Sequence, residues 1–258
     1  MPSASGPILI TGGVKRLGRE IALSLFASGY DLILHGRELA AVPAHSFPVT
    51  QTSGKSVHYV QADLGDGDQV VAMAQQIERD FGTLGGLINN AALFESDDLL
   101  TLDAQSFAKH QSVNVLAPLL LIQNLRSALI RGRGTVINIL DHNIENPNID
   151  FLSYKLSKFA MAGATQILAR QLAPDIRVNA IAPGLTLPSS LQSGEAFESV
   201  HNDVPLQRGS QPADIAQAVK YLLSAKAVTG QVLFVDGGER FLARLRDVSI
   251  ARPVGSGW

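Results

Sequence analysis

The sequence predicts an α/β fold, a doubly wound parallel sheet of about seven strands with helices on both faces, in a single domain. Three observations carry this. Short apolar runs alternate with longer helix-like stretches, several of those runs are apolar on successive residues, and a glycine-rich turn follows the first run. Strands covered on both sides by helices bury both faces and so lose the in–out alternation of a half-exposed strand.

The strands read as Ile8–Ile10, Leu32–Leu34, Val57–Gln61, Gly86–Asn89, Thr135–Ile139, Arg177–Ile181 and Gln231–Val235. Helical stretches run over Arg19–Ser28, Asp68–Phe81, Ala104–Ile130, Ser153–Leu172 and Ala213–Leu223. Within the longest of these, Pro118 predicts a bend or local break, because proline has no amide to donate. The crossing from Glu38 to Ser56 holds Pro43, Pro48 and Gly54 and leaves room for only a short helix. Ser53-Gly54-Lys55-Ser56 imitates the end of a phosphate-binding P-loop, but Val49 stands where that motif needs glycine, so the segment reads as a loop. From Ala243 to Trp258 the chain reads as an irregular tail outside the core. Arg240, Arg244 and Arg246 read as solvated charges, with reach into a neighbouring subunit's active site as the alternative.

Composition narrows the function. A chain of 258 residues, 46% hydrophobic and 17% charged, buries a sizeable core. A net charge of −2 gives no field to hold nucleic acid or an anionic membrane. With no cysteine there is no disulfide, thiol nucleophile or cysteine-ligated metal, and the six histidines form no i, i+4 pair, so no metal site is expected. No apolar run reaches membrane-spanning length and Met1–Pro7 lacks a signal-peptide pattern, so the protein is expected to be soluble and cytoplasmic.

Thr11-Gly12-Gly13-Val14-Lys15-Arg16-Leu17-Gly18 lies between the first strand and the first helix. Glycine there permits positive φ and lets the backbone approach a pyrophosphate at a helix N-terminus, while Lys15, Arg16 and Arg19 suit a polyanion. The end of the second strand distinguishes nucleotides, since a carboxylate there favours NAD. Here it reads Leu34-His35-Gly36-Arg37, with no acid before Glu38. Arg37 is placed for a forked contact with a 2′-phosphate, with His35 or Lys15 in support, which points to NADPH; a solvated surface arginine is the alternative. Asp63, in Ala62-Asp63-Leu64, could accept from the adenine amine. Asn90 and Ala91 end the fourth strand, where a backbone pressed against the cofactor demands small residues.

Tyr154 and Lys158 are four apart on a helix and share a face. A phenol has a pKa near 10, and a neighbouring ammonium favours the phenolate. Tyr154 could then give its proton to a substrate atom as hydride reaches the adjacent carbon.

In this order, the Thr-Gly turn, Asn89-Asn90-Ala91, Asn114, Tyr154/Lys158, Pro183-Gly184 and Val235-Asp236-Gly237-Gly238 resemble the short-chain dehydrogenases/reductases, from Ile8 to about Leu242. The resemblance implies a Rossmann-type fold and a tetrad of Asn114, the residue at position 141, Tyr154 and Lys158. It also implies that Pro183 and Gly184 flank the nicotinamide, and that subunits form a homotetramer or homodimer.

One position departs from that pattern. Thirteen residues before Tyr154 stands Asp141, where the family has serine. A carboxylate repels a carbonyl oxygen unless protonated, and suits a substrate that offers N–H donors. Together with Lys15-Arg16-Leu17-Gly18 and Phe94, Asp141 makes the chain similar to pteridine and dihydromonapterin reductases. That similarity implies that Arg16, Phe94 and Asp141 meet a pterin, with Tyr154 as its proton donor. The segment from Leu185 to Arg208, with Pro188, Gly194 and Pro205, reads as a substrate-covering loop. The activity expected is NADPH-dependent reduction of a dihydropterin C=N bond. A ketone or quinone reductase is the alternative, and an NADPH-sensing protein without turnover a distant third. Asp141 as a capping carboxylate and Phe94 as an ordinary aromatic remain the structural alternatives.

Overall fold

The computed structural model describes residues 5–39, 55–188 and 194–248. Most of the Glu38–Ser56 crossing and residues 249–258 of the tail therefore lie outside the described residues. Seven strands are present: β1 (Ile8–Ile10), β2 (Leu32–Gly36), β3 (Val57–Gln61), β4 (Gly86–Asn89), β5 (Thr135–Ile139), β6 (Arg177–Pro183) and β7 (Val232–Val235). They form one sheet in the order β3-β2-β1-β4-β5-β6-β7, with every pairing parallel.

The described helices are α1 (Arg16–Ala27), α2 (Gly67–Phe81), α3 (Ala104–Gln111), α4 (Ala117–Asn124), α5 (Arg126–Gly132), α6 (Leu152–Gln171), α7 (Gly194–His201) and α8 (Pro212–Ser224). The period of two along a strand sorts the core into two layers. Ile8 and Ile10 pack with Ile21 and Leu25 of α1 and with Ile215 and Val219 of α8. Leu9, between them, packs on the opposite face with residues of α2, α4, α5 and α6. The helix ends follow local chemistry. Asp66 accepts from the amides of Asp68 and Gln69 at the start of α2, and Gly82, with φ of +67°, ends it.

The stretch 104–130 is not one helix bent at Pro118. A single wide π turn, Ser112–Leu116, joins α3 to α4, and the Ala117 amide reaches back to the carbonyl of Ser112. Pro118 sits in the first turn of α4, where its missing amide leaves the Asn114 carbonyl without an i+4 partner. The sharp bend, 60°, falls later, between Asn124 and Arg126. There the Asn124 side chain donates to the Leu120 carbonyl, a local bond that competes with helix continuation. The expected loop from Leu185 to Arg208 also contains a helix, α7.

Strand order reverses at β1, with β2 on one side and β4 on the other. The carboxyl ends of β1 and β4 therefore open a crevice, the place where doubly wound sheets bind ligands. No single helix among the described residues is long and apolar enough to cross a membrane.

Candidate active site

The crevice is built first by the turn after β1. Gly12 has φ of +62°, and the Thr11 hydroxyl accepts from the amides of Asn90 and Ala91, both at 3.0 Å. The Asn90 side-chain amide donates to the Thr11 carbonyl at 2.9 Å, so the ends of β1 and β4 are laced together. Gly18 lies so close under this turn that a Cβ would stand 2.2 Å from the Gly12 oxygen. Such a backbone cradle, free of side chains and opening a helix, fits a dinucleotide pyrophosphate.

His35 does not support a phosphate contact. It is buried in β2, its Nδ1 accepting from the Gly12 amide at 3.1 Å and its Nε2 donating to the Ala62 carbonyl at 3.0 Å. Burial lowers its pKa, against the smaller opposing pulls of the Ala62 bond and the Asp63 charge. The ring is neutral and pins the turn from beneath. Sequence reasoning missed this because β2 is buried on both faces, so position along it does not tell inward from outward.

Arg37 stands exposed at the end of β2, 3.9 Å from Glu38. Lys15 is exposed too, Asp63 is exposed just after β3, and the Leu64 side chain is buried in the core. Arg16, with φ of +50°, begins α1 and donates from Nη2 to the Pro188 carbonyl at 2.8 Å. That bond carries the first turn across to the segment after β6.

The four catalytic candidates come from three elements. Asn114 sits in the π turn; its Oδ1 accepts from the Leu93 amide at 2.7 Å, and its Nδ2 donates to the Leu93 carbonyl and to the Ser157 hydroxyl. It thereby fixes the segment after β4 against α6. The N-terminus of α6 is held by Asp97, which accepts from the Ser153 amide and hydroxyl. One turn on, Tyr154 and Lys158 are both buried and share a face, with Lys158 Nζ 5.4 Å from the Tyr154 ring and donating to the Ile139 carbonyl at 2.8 Å. Asp141 follows β5. Its Oδ2 accepts from the Tyr154 hydroxyl at 3.0 Å, and its Oδ1 accepts from the backbone and side-chain amides of Asn143, both at 2.8 Å.

Electrostatics assigns protonation states. Burial alone would raise the Asp141 pKa, but the charge of His142, the two bonds from Asn143 and the charge of Lys158 outweigh it, so Asp141 is a carboxylate below its usual range. Burial, then the charge and hydrogen bond of Asp141, push the Tyr154 phenol well above its ordinary value. The lowered phenol pKa expected from Lys158 is thus reversed, first by burial and then by a carboxylate that touches the hydroxyl. Lys158 is pushed down to about 8 by burial, with Asp141 opposing.

Phe94, half exposed, stacks on Phe151 at 4.2 Å between ring centroids and meets the Tyr154 ring edge-on at 4.7 Å. Arg16, Phe94, Asp141, Tyr154, Gly184 and Leu185 line one pocket; Pro183 ends β6 immediately before it. The sequence reading missed Lys155, His142, Glu239, Asp247 and Val248, which line it too. Residues 243–248 are irregular in backbone, yet they lie over the site. Arg246 forks onto the buried Asp150 at 3.0 Å, the Asp247 amide donates to Asp150, and Arg244 pairs with Asp203 at 3.0 Å. Arg240 pairs with Asp236 and lies over the rings of Phe234 and Phe241. These arginines are not simply solvated charges.

The chain belongs to the short-chain dehydrogenase/reductase family and is an oxidoreductase. Residues 13–239 match the family model described as enoyl-(acyl carrier protein) reductase. Among its relatives is a 3-oxoacyl-[acyl-carrier-protein] reductase of Staphylococcus aureus, 31% identical over 89% of this chain and 96% of that protein. Carbonyl reductase family member 4 of Danio rerio is 30% identical over 91% and 98%. Among solved structures, FolM alternative dihydrofolate reductase 1 from Brucella canis, complexed with NADP, is similar at a TM-score of 0.84 and 35% identity, over 93% of this chain and 96% of that one.

Proposed function

We propose that this protein is an NADPH-dependent reductase acting on a C=N bond of a dihydropterin. The observation that carries the reading is the ionised Asp141 bonded to the Tyr154 hydroxyl at 3.0 Å in a pocket shared with Arg16 and Phe94. A carboxylate at this point attracts substrate N–H donors and repels a carbonyl oxygen. The 35% identity with the Brucella canis alternative dihydrofolate reductase supports it.

The residues fit NADPH. Thr11, Gly12, Lys15, Arg16, Leu17 and Gly18 form the pyrophosphate turn, Arg37 takes the 2′-phosphate, and Asp63 and Leu64 border the adenine. Asn90, Ala91, Lys158, Pro183 and Gly184 border the ribose and nicotinamide. Bound there, NADPH supplies the hydride. The phenol of Tyr154 keeps its proton at neutral pH, the state required to protonate a ring nitrogen. The Lys158 ammonium steadies the phenolate left behind, Asp141 accepts from the pterin's N–H groups, and Phe94 offers its ring face. Leu116, Leu156 and Phe159, all large and exposed, supply an apolar face for a homotetramer or homodimer.

A ketone or quinone reductase is the second reading, favoured by the two relatives named for acyl-carrier and carbonyl substrates. NADPH oxidation with dihydrobiopterin or dihydromonapterin, beside an Asp141→Ser variant, separates them. Pterin turnover that collapses in the variant supports the proposal. Ketone turnover that survives or improves in the variant, with no pterin turnover in either protein, overturns it.

A further inference from the structure

Tyr154 must recover a proton after each turnover, and the side chains named so far are committed. Asn114 is bonded to Leu93 and Ser157, and Lys158 Nζ to the Ile139 carbonyl. Another set of groups leads away from the phenol in the opposite direction. His142 Nδ1 lies 3.4 Å from Asp141 Oδ1, and its Nε2 lies 3.7 Å from Glu239 Oε1. The three side chains are 20%, 16% and 4% exposed, from Asp141 to Glu239. Glu239 Oε2 accepts from the Leu185 amide at 2.8 Å, which fixes the carboxylate in place.

The array also spans two spaces. On one side His142 and Glu239 line the substrate pocket; on the other they line a small polar cavity with Asn143, Asn146, Arg244 and Asp247. A polar cavity with several donors and acceptors suits a bridging water. The charged groups that line these two spaces with the imidazole are Asp141 on its own turn, Glu239 from the turn after β7, Arg244 and Asp247 from the C-terminal segment, Lys155 of α6 and Arg16 of α1.

We propose that His142 and Glu239 are positioning residues of a proton-return path from solvent through Asp141 to Tyr154. In the forward step Tyr154 loses its O–H proton to the substrate nitrogen and becomes a phenolate. In the return step His142 Nδ1 gives a proton to Asp141 Oδ1, the carboxyl turns to bring that O–H to the phenolate, the phenolate takes the proton, and Asp141 ends ionised. His142 then takes its replacement proton from solvent through the polar cavity. One solvent proton is consumed per turnover, and Glu239 faces the ring nitrogen opposite the one that faces Asp141.

The path predicts a split between first and later turnovers, because an enzyme at rest already carries the Tyr154 proton. Stopped-flow NADPH oxidation on the full chain reads both, using dihydrobiopterin. His142→Asn slows later turnovers by about tenfold or more relative to the first, within the range of positioned acid–base groups, and added imidazole restores them. Glu239→Gln, which keeps an acceptor for the Leu185 amide, gives a smaller split of the same sign. A structural role would instead slow first and later turnovers together, and that result, like no slowing in either, overturns the path. Thermal unfolding of both variants identifies a folding defect, in which case His142→Gln is read instead. The choice of substrate rests on the proposed function. If no pterin is reduced, that reading fails, and the same two rates are taken with a ketone, where the path predicts the same split.

Discussion

The Tyr154 hydroxyl donates to Asp141 Oδ2 at 3.0 Å, so the proposed proton donor is gripped by a carboxylate. Burial and then the Asp141 charge raise the phenol's pKa. Replacing Asp141 with Asn removes the charge and keeps the shape. Tyr154 is then expected to form phenolate at lower pH, while still above an ordinary tyrosine because burial remains. Ultraviolet titration of the variant against wild type measures this; an unmoved transition would contradict the electrostatic role of Asp141.

Lys158 sets the alkaline limit of reduction. Burial pushes it down to about 8, and Asp141 partly opposes the fall. As pH rises through about 8 the ammonium loses its charge and stops steadying the phenolate, so kcat/KM falls. Asp141→Asn moves that limb to lower pH, since it removes the group that raises the lysine. The stability effect has the opposite sense. An unfolded lysine titrates near 10.4, so between about 8 and 10.4 the unfolded state holds more protons and folding gains stability with pH. Rates and thermal unfolding across this window test both signs.

Gly18→Ala places a Cβ 2.2 Å from the Gly12 oxygen and 2.5 Å from the Asn90 side-chain nitrogen. Neither neighbour is a flexible side-chain end free to swing away, since Asn90 is bonded to Thr11. The variant is expected to lose about 1–3 kcal/mol of stability by overpacking. Its affinity for NADPH falls as well, because the turn that approaches the pyrophosphate must shift. Chemical denaturation and fluorescence titration with NADPH measure the two losses.

Arg37→Asp tests nucleotide choice. The arginine is exposed and its ion pair with Glu38 is long. A carboxylate there repels a 2′-phosphate and accepts from a ribose hydroxyl. The ratio of kcat/KM for NADPH over NADH is expected to drop by at least tenfold, equivalent to about 1.4 kcal/mol. An unchanged ratio would return Arg37 to the surface.

Much of this fold is legible in the residues. Ile8–Ile10 is apolar without interruption and Thr135–Ile139 is buried throughout because helices cover both faces, and the strand ends differ from expectation by two residues at most. Asp141 stood out because a carboxylate replaced an expected hydroxyl at fixed distance from Tyr154. Other features turn on tertiary contacts that no local pattern encodes. The bend at Leu125 arises from an asparagine bonding back to its own helix, while Pro118, the stronger local signal, lies where a helix tolerates it. The C-terminal segment has no regular period, so its docking through Arg246 onto Asp150 became visible only once residues 96 positions apart were placed together.

The neutral His35 beneath the nucleotide turn has a consequence for acid tolerance. Its ring accepts the Gly12 amide through Nδ1, and a protonated imidazole has no lone pair left to accept with. Its folded pKa lies below that of a free histidine, so the unfolded chain takes up the proton first, and the stability tied to this ring is lost as pH falls through and below about 6.5. Mild acidification therefore attacks the dinucleotide cradle from inside the sheet, loosening the grip on the coenzyme before the carboxylates that cap the helices are neutralised.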